Sequence, residues 1–215
     1  CRREIADPAN RRWRHPFINC TQCGPRYTVM LGLPYDRSTT SLAGFAMCPA
    51  CQREYGDPFD RRFHAEPIAC PDCGPRLRFV AAQRDVHGDA ASLAACVQAL
   101  RAGGVIAVKG IGGYHLVCDA RHEPAIQTLR ARKARPHKPL AVMFPQQGLD
   151  GLDAVRAELD VNAVEAAALL DPARPIVLLR RRAGSELPDA LAPGLDEIGA
   201  FLPYSPLHEL LLADF

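Results

Sequence analysis

Lysine is nearly missing from this 215-residue chain, which has three lysines against 23 arginines. The bias implies that arginine has replaced lysine wherever the two are interchangeable, so the three survivors mark places where a compact ammonium is preferred. Long hydrophobic runs are missing as well. The longest, such as Gly103–Val108 and Ala166–Leu170, fall far short of the roughly 20 residues that cross a bilayer, so a membrane span is excluded. Net charge is only +2 with 48% hydrophobic residues, which excludes a disordered polyelectrolyte. The chain opens Cys-Arg-Arg-Glu, without an initiator methionine, an apolar signal region or a small-residue cleavage site. The expectation is a segment of a longer cytoplasmic protein.

Cysteine, by contrast, is abundant. Six of the nine cysteines lie in three Cys-x-x-Cys pairs, Cys20/Cys23, Cys48/Cys51 and Cys70/Cys73. Pairs this tight seldom close structural disulfides but readily clamp one metal ion, which favours thiolate metal sites over a secreted disulfide framework. An internal repeat orders them. Shifted by 50 residues, Cys1-Arg-Arg-Glu-Ile-Ala-Asp-Pro lies over Cys51-Gln-Arg-Glu-Tyr-Gly-Asp-Pro, and Cys20-Thr-Gln-Cys23-Gly-Pro-Arg over Cys70-Pro-Asp-Cys73-Gly-Pro-Arg. The second copy reads Cys-x2-Cys-x18-Cys-x2-Cys, the pattern of a tetrahedral four-cysteine zinc site. In the first copy Cys1, Cys20 and Cys23 are three of the four equivalents, and the counterpart of Cys48 would lie upstream. Two zinc sites are expected, the first lacking one ligand and binding more weakly.

Each copy carries paired arginines, Arg11/Arg12 and Arg61/Arg62, followed by an aromatic. Residues 1–79 hold 12 Arg against 8 Asp plus Glu, a mild net of +4. Packing and salt links are therefore favoured over a nucleic-acid surface. His64 has Arg14 at its equivalent position and is not needed as a ligand; it is read as a structural histidine.

Beyond a polar joint around Gln83–Asp89, helical and strand patterns alternate. Leu93, Cys96, Val97 and Leu100 share a helical face ended by Gly103-Gly104, and Val105–Val108 reads as a central buried strand leading into Lys109-Gly-Ile-Gly-Gly-Tyr-His115. An amphipathic helix over Glu123–Arg132 and a strand over 139–144 follow. Two helical segments, a strand over 175–180 and a helix over Ser205–Ala213 complete the pattern. The expected class is α/β, a mixed twisted sheet over 83–215, preceded by small zinc-stabilised modules over 1–82. Lys109 stands at the glycine loop, while Lys133 and Lys138 stand in Arg132-Lys-Ala-Arg-Pro-His-Lys-Pro139, an arrangement suited to phosphate.

The glycine loop, followed by Leu129-Arg-Ala-Arg-Lys-Ala-Arg-Pro-His-Lys-Pro-Leu-Ala-Val-Met143, resembles the YrdC-like domain of the HypF family of hydrogenase maturation carbamoyltransferases. The tandem cysteine modules ahead of it, Ala173–Leu179 and Leu202-Pro-Tyr-Ser-Pro-Leu-His208 agree with that family. The resemblance implies the central part of an enzyme that makes cyanide ligands for [NiFe]-hydrogenase. In the family, an acylphosphatase-like domain releases carbamate from carbamoyl phosphate, and the YrdC-like domain joins the carbamate to ATP as carbamoyl-AMP. A transferase domain then passes the carbamoyl group to the partner HypE. By the same resemblance Lys133, Arg135 and Lys138 contact phosphate with Mg²⁺, whereas Lys109, Gly110, Gly112 and Gly113 border the carbamoyl pocket and His115 faces it. The family's Ser-Gly-Asn nucleotide segment is not in these residues, so the segment alone is expected to be inactive. The alternatives are a threonylcarbamoyl-AMP synthase acting in tRNA modification and a non-catalytic zinc module binding double-stranded RNA or a protein.

Overall fold

The 50-residue repeat is built as one set of hydrogen bonds made twice. The computed structural model describes residues 1–21 and 27–215, so Cys23 and Gly24 lie outside the described residues. Helix α1 (Arg2–Ala6) follows Cys1 and helix α2 (Pro49–Gly56) follows Cys48, with Pro49 in the first turn, where its missing N–H costs nothing. Both helices stop at an Asp-Pro step, because the proline ring drives the preceding residue, Asp7 or Asp57, into extended backbone. The Asp7 carboxylate then accepts the Ala9 N–H and the Asp57 carboxylate the Phe59 N–H, each at 2.9 Å. Arg14 and His64 take the left-handed conformation and donate their N–H groups back to Ile5 and Tyr55 at 2.9 and 3.1 Å. His64 also packs its ring against Tyr55 and Phe63. Ile18 and Ile68, again equivalent, are buried.

The chain divides into two compact units, Cys1–Leu93 and Ala94–Phe215. The first also holds an antiparallel hairpin of β1 (Arg78–Ala81) and β2 (Arg84–His87), the second strand of which falls in the polar joint expected around Gln83–Asp89. Nearly every position of that hairpin is exposed, so it lacks the alternating apolar pattern by which a strand is recognised. The Arg78 to Asp85 ion pair bridges its strands instead.

The division falls within α3 (Asp89–Arg101), which buries Leu93, Val97 and Leu100 and is closed by the N–H groups of Gly103 and Gly104 on the Leu100 and Ala99 carbonyls. Among the described residues strand β3 (Ile106–Lys109) pairs only with β4 (Tyr114–Val117), and of its own residues Val108 alone is buried. It is therefore one arm of a hairpin and not the central strand that its apolar run suggests. Helix α4 (Glu123–Lys133) buries Ala125, Ile126, Leu129 and Arg130. Strand β5 (Val142–Met143), helices α5 (Asp153–Glu158) and α6 (Ala163–Leu170), strands β6 (Val177–Arg180) and β7 (Glu197–Phe201) and helix α7 (Pro206–Asp214) complete the unit. The sheet order is β5-β7-β6, parallel on the first side and antiparallel on the second, which makes it mixed. Its core gathers Ile126, Val155, Leu169, Leu179, Ile198 and Leu202. No described helix is long and apolar enough to cross a membrane.

Candidate metal cluster and nucleotide site

In the second repeat α2 carries Cys48 at its N-cap and Cys51 in its first turn, while the turn after Ile68 carries Cys70 and Cys73. The four sulfurs lie within 4.8 Å of one another. Cys70 stands 3.7 Å from both Cys48 and Cys73, close to the edge of about 3.8 Å of a tetrahedron built on zinc–sulfur bonds of about 2.3 Å. Cys51 and Cys70 are fully buried, and burial pushes both thiols up. Four converging sulfurs in such a site fit Zn²⁺, which binds them as thiolates and displaces their protons. The surrounding core is small, Cys51, Ile68 and Cys70 with Met47, Tyr55 and the remaining cysteines packed against them. Metal bonds would supply the cohesion this module cannot draw from apolar burial. In the first repeat Cys1 lies beside the Asn19 carbonyl at 3.2 Å.

The glycine loop is the turn of the β3–β4 hairpin, closed by the Gly110 N–H on the Gly113 carbonyl at 2.7 Å. Lys109 ends β3 with its ammonium 5.1 Å over the Tyr114 ring. His115 sits on β4 opposite Val108. Its ring lies so close to Gly110 that a β-carbon there would meet His115 Nε2 and Cδ2 at 2.6 Å and force the ring to move. The Tyr204 hydroxyl hydrogen-bonds His115 Nε2, and the His208 ring stands 5.5 Å from His115 and 4.7 Å from Tyr204. His208 is held by α7, whose cap is the Ser205 hydroxyl accepting the His208 N–H at 3.2 Å.

Lys133, Arg135 and Lys138 lie at and beyond the end of α4, all exposed, and among the described residues none of them pairs with a carboxylate. Their loop is organised by Arg130, which is buried at 4% exposure. Its Nη1 donates to the carbonyls of Arg135, Pro136 and Lys138 at 2.9, 3.1 and 2.9 Å, while Nε and Nη2 donate to Ala190 and Leu191 at 2.7 and 3.1 Å. Ala134, in the left-handed conformation, turns the chain out of the helix. The structure thus brings His115 to Gly110 and ties the backbone of Arg135 and Lys138 to Arg130, while Lys133 ends α4 just before them. Among the described residues no hydrogen bond, ion pair or ring contact joins the two groups. Tyr204, His208 and Arg130 carry no role in the sequence reading. Arg130 is one of several cations in its segment, and only burial sets it apart.

A mixed α/β unit with a glycine hairpin and an exposed cationic loop, preceded by a cysteine finger, defines a recognisable class. Residues 98–215 match the Sua5/YciO/YrdC family, described as telomere recombination, and the chain belongs to that family. Residues 1–30 and 47–80 match the HypF finger. The chain is 53% identical over 215 residues to carbamoyltransferase HypF of Rhodobacter capsulatus and 50% identical over 213 residues to that of Synechocystis. It spans 28% and 27% of those relatives. Among solved structures, full-length HypF in a phosphate- and nucleotide-bound form superposes with a TM-score of 0.87 at 43% identity, covering 100% of this chain and 27% of that one. T. kodakarensis HypF gives 0.90 at 43% identity, covering 98% and 27%. The resemblance to HypF and the mixed α/β class are both borne out.

Proposed function

We propose that this chain is the central part of a cytoplasmic carbamoyltransferase that makes cyanide ligands for [NiFe]-hydrogenase, with residues 1–82 as its metal-binding modules and 83–215 as its adenylate-forming part. The observation that supports this most is the likeness to carbamoyltransferase HypF, which runs through both units in one order at 53% identity. In this reading a carbamate oxygen, released from carbamoyl phosphate elsewhere in the longer protein, attacks the α-phosphorus of ATP. A carbamate oxygen–phosphorus bond forms, the bond to the β-phosphate oxygen breaks, and pyrophosphate leaves with the electron pair. The protein's task is positioning and neutralisation of charge. Lys133, Arg135 and Lys138 meet the phosphates, and their exposure leaves them accessible to do so. Bound Mg²⁺ supplies further neutralisation. Lys109 and the backbone of Gly110, Gly112 and Gly113 border the carbamoyl pocket, with His115 oriented by Tyr204. Cys48, Cys51, Cys70 and Cys73 hold one zinc ion; Cys1, Cys20 and Cys23 contribute three ligands to a second. The carbamoyl group passes to a HypE-type acceptor.

ATP–pyrophosphate exchange by the full-length protein tests this reading. Exchange that requires carbamoyl phosphate is the expected result, and Lys133→Ala and Arg135→Ala each lower ATP affinity about 10- to 100-fold without unfolding, the size of a lost charge-assisted contact. Exchange that instead requires threonine and bicarbonate overturns it in favour of tRNA modification.

A further inference from the structure

The paired arginines of each repeat reach into the other module. Arg11 and Arg12, from the first repeat, reach the four-cysteine cluster of the second. Arg11 Nη2 donates to the sulfurs of Cys48 and Cys51 at 3.3 and 3.4 Å, and Arg12 Nη2 to Cys51 at 3.4 Å. Both guanidinium groups are anchored on Glu54 of α2, Arg11 at 2.7 Å and Arg12 at 2.5 Å, and Arg12 Nε donates to the carbonyl of Ala69, the residue before Cys70, at 2.8 Å. Fifty residues on, the pattern returns with the modules exchanged. Arg61 Nη1 lies 3.7 Å from the sulfur of Cys1, and Arg61 and Arg62 both pair with Glu4 of α1. Arg62 Nε donates to the side chain of Asn19, the residue before Cys20, at 3.1 Å. Glu4 and Glu54 are equivalent, as are Asn19 and Ala69. The exchange is therefore a property of the repeat and not one fortuitous contact.

Four thiolates around Zn²⁺ leave a net charge of −2 in a site whose sulfurs are partly or wholly out of water. Such a charge is stable only beside cations and N–H donors, and donors that contact the ligands themselves typically change metal affinity by 10- to 100-fold. We propose that each repeat completes the metal site of the other, with Arg11 and Arg12 as outer donors to the Cys48, Cys51, Cys70 and Cys73 cluster and Arg61 with Arg62 serving the Cys1 side. The two modules then bind metal as one interlocked pair. This rests on the zinc reading of the cysteine cluster.

The test is zinc affinity of the 215-residue chain, measured by competition with a chromophoric chelator. Cys1 and Cys20 are replaced by serine throughout, so that tight zinc reports the four-cysteine site. Arg11 is partly exposed, so Arg11→Gln removes two N–H···S contacts with little effect on packing; Arg61→Gln is the matched control in the other repeat. Arg11→Gln is expected to weaken zinc about 10- to 100-fold, while Arg61→Gln leaves it within about 3-fold of the parent. Co²⁺ substitution gives a second readout, since loss of an N–H···S bond shifts the thiolate-to-cobalt absorption band for Arg11→Gln alone. Equal weakening by both substitutions, or none by either, overturns the proposal. Absence of tight zinc in the parent overturns the zinc reading and this inference together, whereas tight zinc indifferent to Arg11 overturns the inference alone.

Discussion

His208 is 1% exposed, and among the described residues neither ring nitrogen has a hydrogen-bond partner. Burial, with His115 alongside, pulls its pKa down from 6.5 to about 4. The sign follows from linkage: between those values the unfolded chain binds a proton that the folded one refuses, so stability falls as pH falls. Stability of the second unit should be level above about pH 6.5 and decline toward pH 4, with His208 contributing roughly 2–3 kcal/mol at about 1.4 kcal/mol per pKa unit. Denaturant titrations at pH 7.5 and 4.5, on the parent and on His208→Phe, check this. The loss between the two pH values should shrink by that amount in the variant, and an unchanged loss would show that other groups carry it. The approach of His115 to Tyr204 and His208 could not be read from the sequence, because Tyr204 and His115 stand 89 positions apart.

Among the elements, the end of α4 shows how one buried side chain shapes an exposed loop. The loop from Ala134 to Lys138 makes few backbone hydrogen bonds of its own, and three of its carbonyls turn inward onto Arg130. A buried guanidinium without a carboxylate is tolerated because carbonyl oxygens take its donors. Arg130→Met keeps the volume and strands those carbonyls, so we expect a loss of about 2–4 kcal/mol of stability together with weaker ATP binding. Thermal unfolding and nucleotide titration of the same variant check both parts; full nucleotide affinity in a destabilised protein would show that the loop does not need this anchor. Helix α4 was legible from its amphipathic spacing, and so was the cationic cluster after it. The inward course of the loop was not, since it depends on carbonyls contributed by Ala190 and Leu191, some 60 residues away.

For the whole molecule, the second compact unit has an extensive apolar core, whereas the four-cysteine module gathers Cys51, Ile68 and Cys70 with Met47 and Tyr55 packed against them. Zinc binding in small modules of this kind contributes about 10–16 kcal/mol. Removing metal with a strong chelator at neutral pH should therefore expose the amides of residues 47–75 to rapid hydrogen exchange and leave protection in α4, β7 and α7 unchanged. Exchange monitored by mass spectrometry distinguishes this from a single cooperative collapse, which would contradict separate stabilisation.

The metal cluster was fully written in the chain: the spacing of Cys48, Cys51, Cys70 and Cys73 is local chemistry, and tetrahedral coordination leaves few ways to satisfy it. The five helices α3 to α7 and the mixed α/β class were equally legible, since periodicity and caps act within a few residues, whereas the short α1 and α2 carried too few turns to show a period. Tertiary structure alone decided that Ile106–Lys109 is a hairpin arm and not a central strand, that Arg130 sits beneath the cationic loop, and that the arginine pairs cross between the repeats. Each of these depends on which distant surface meets a given side chain, and on whether a charge left out of water finds its donors and acceptors there.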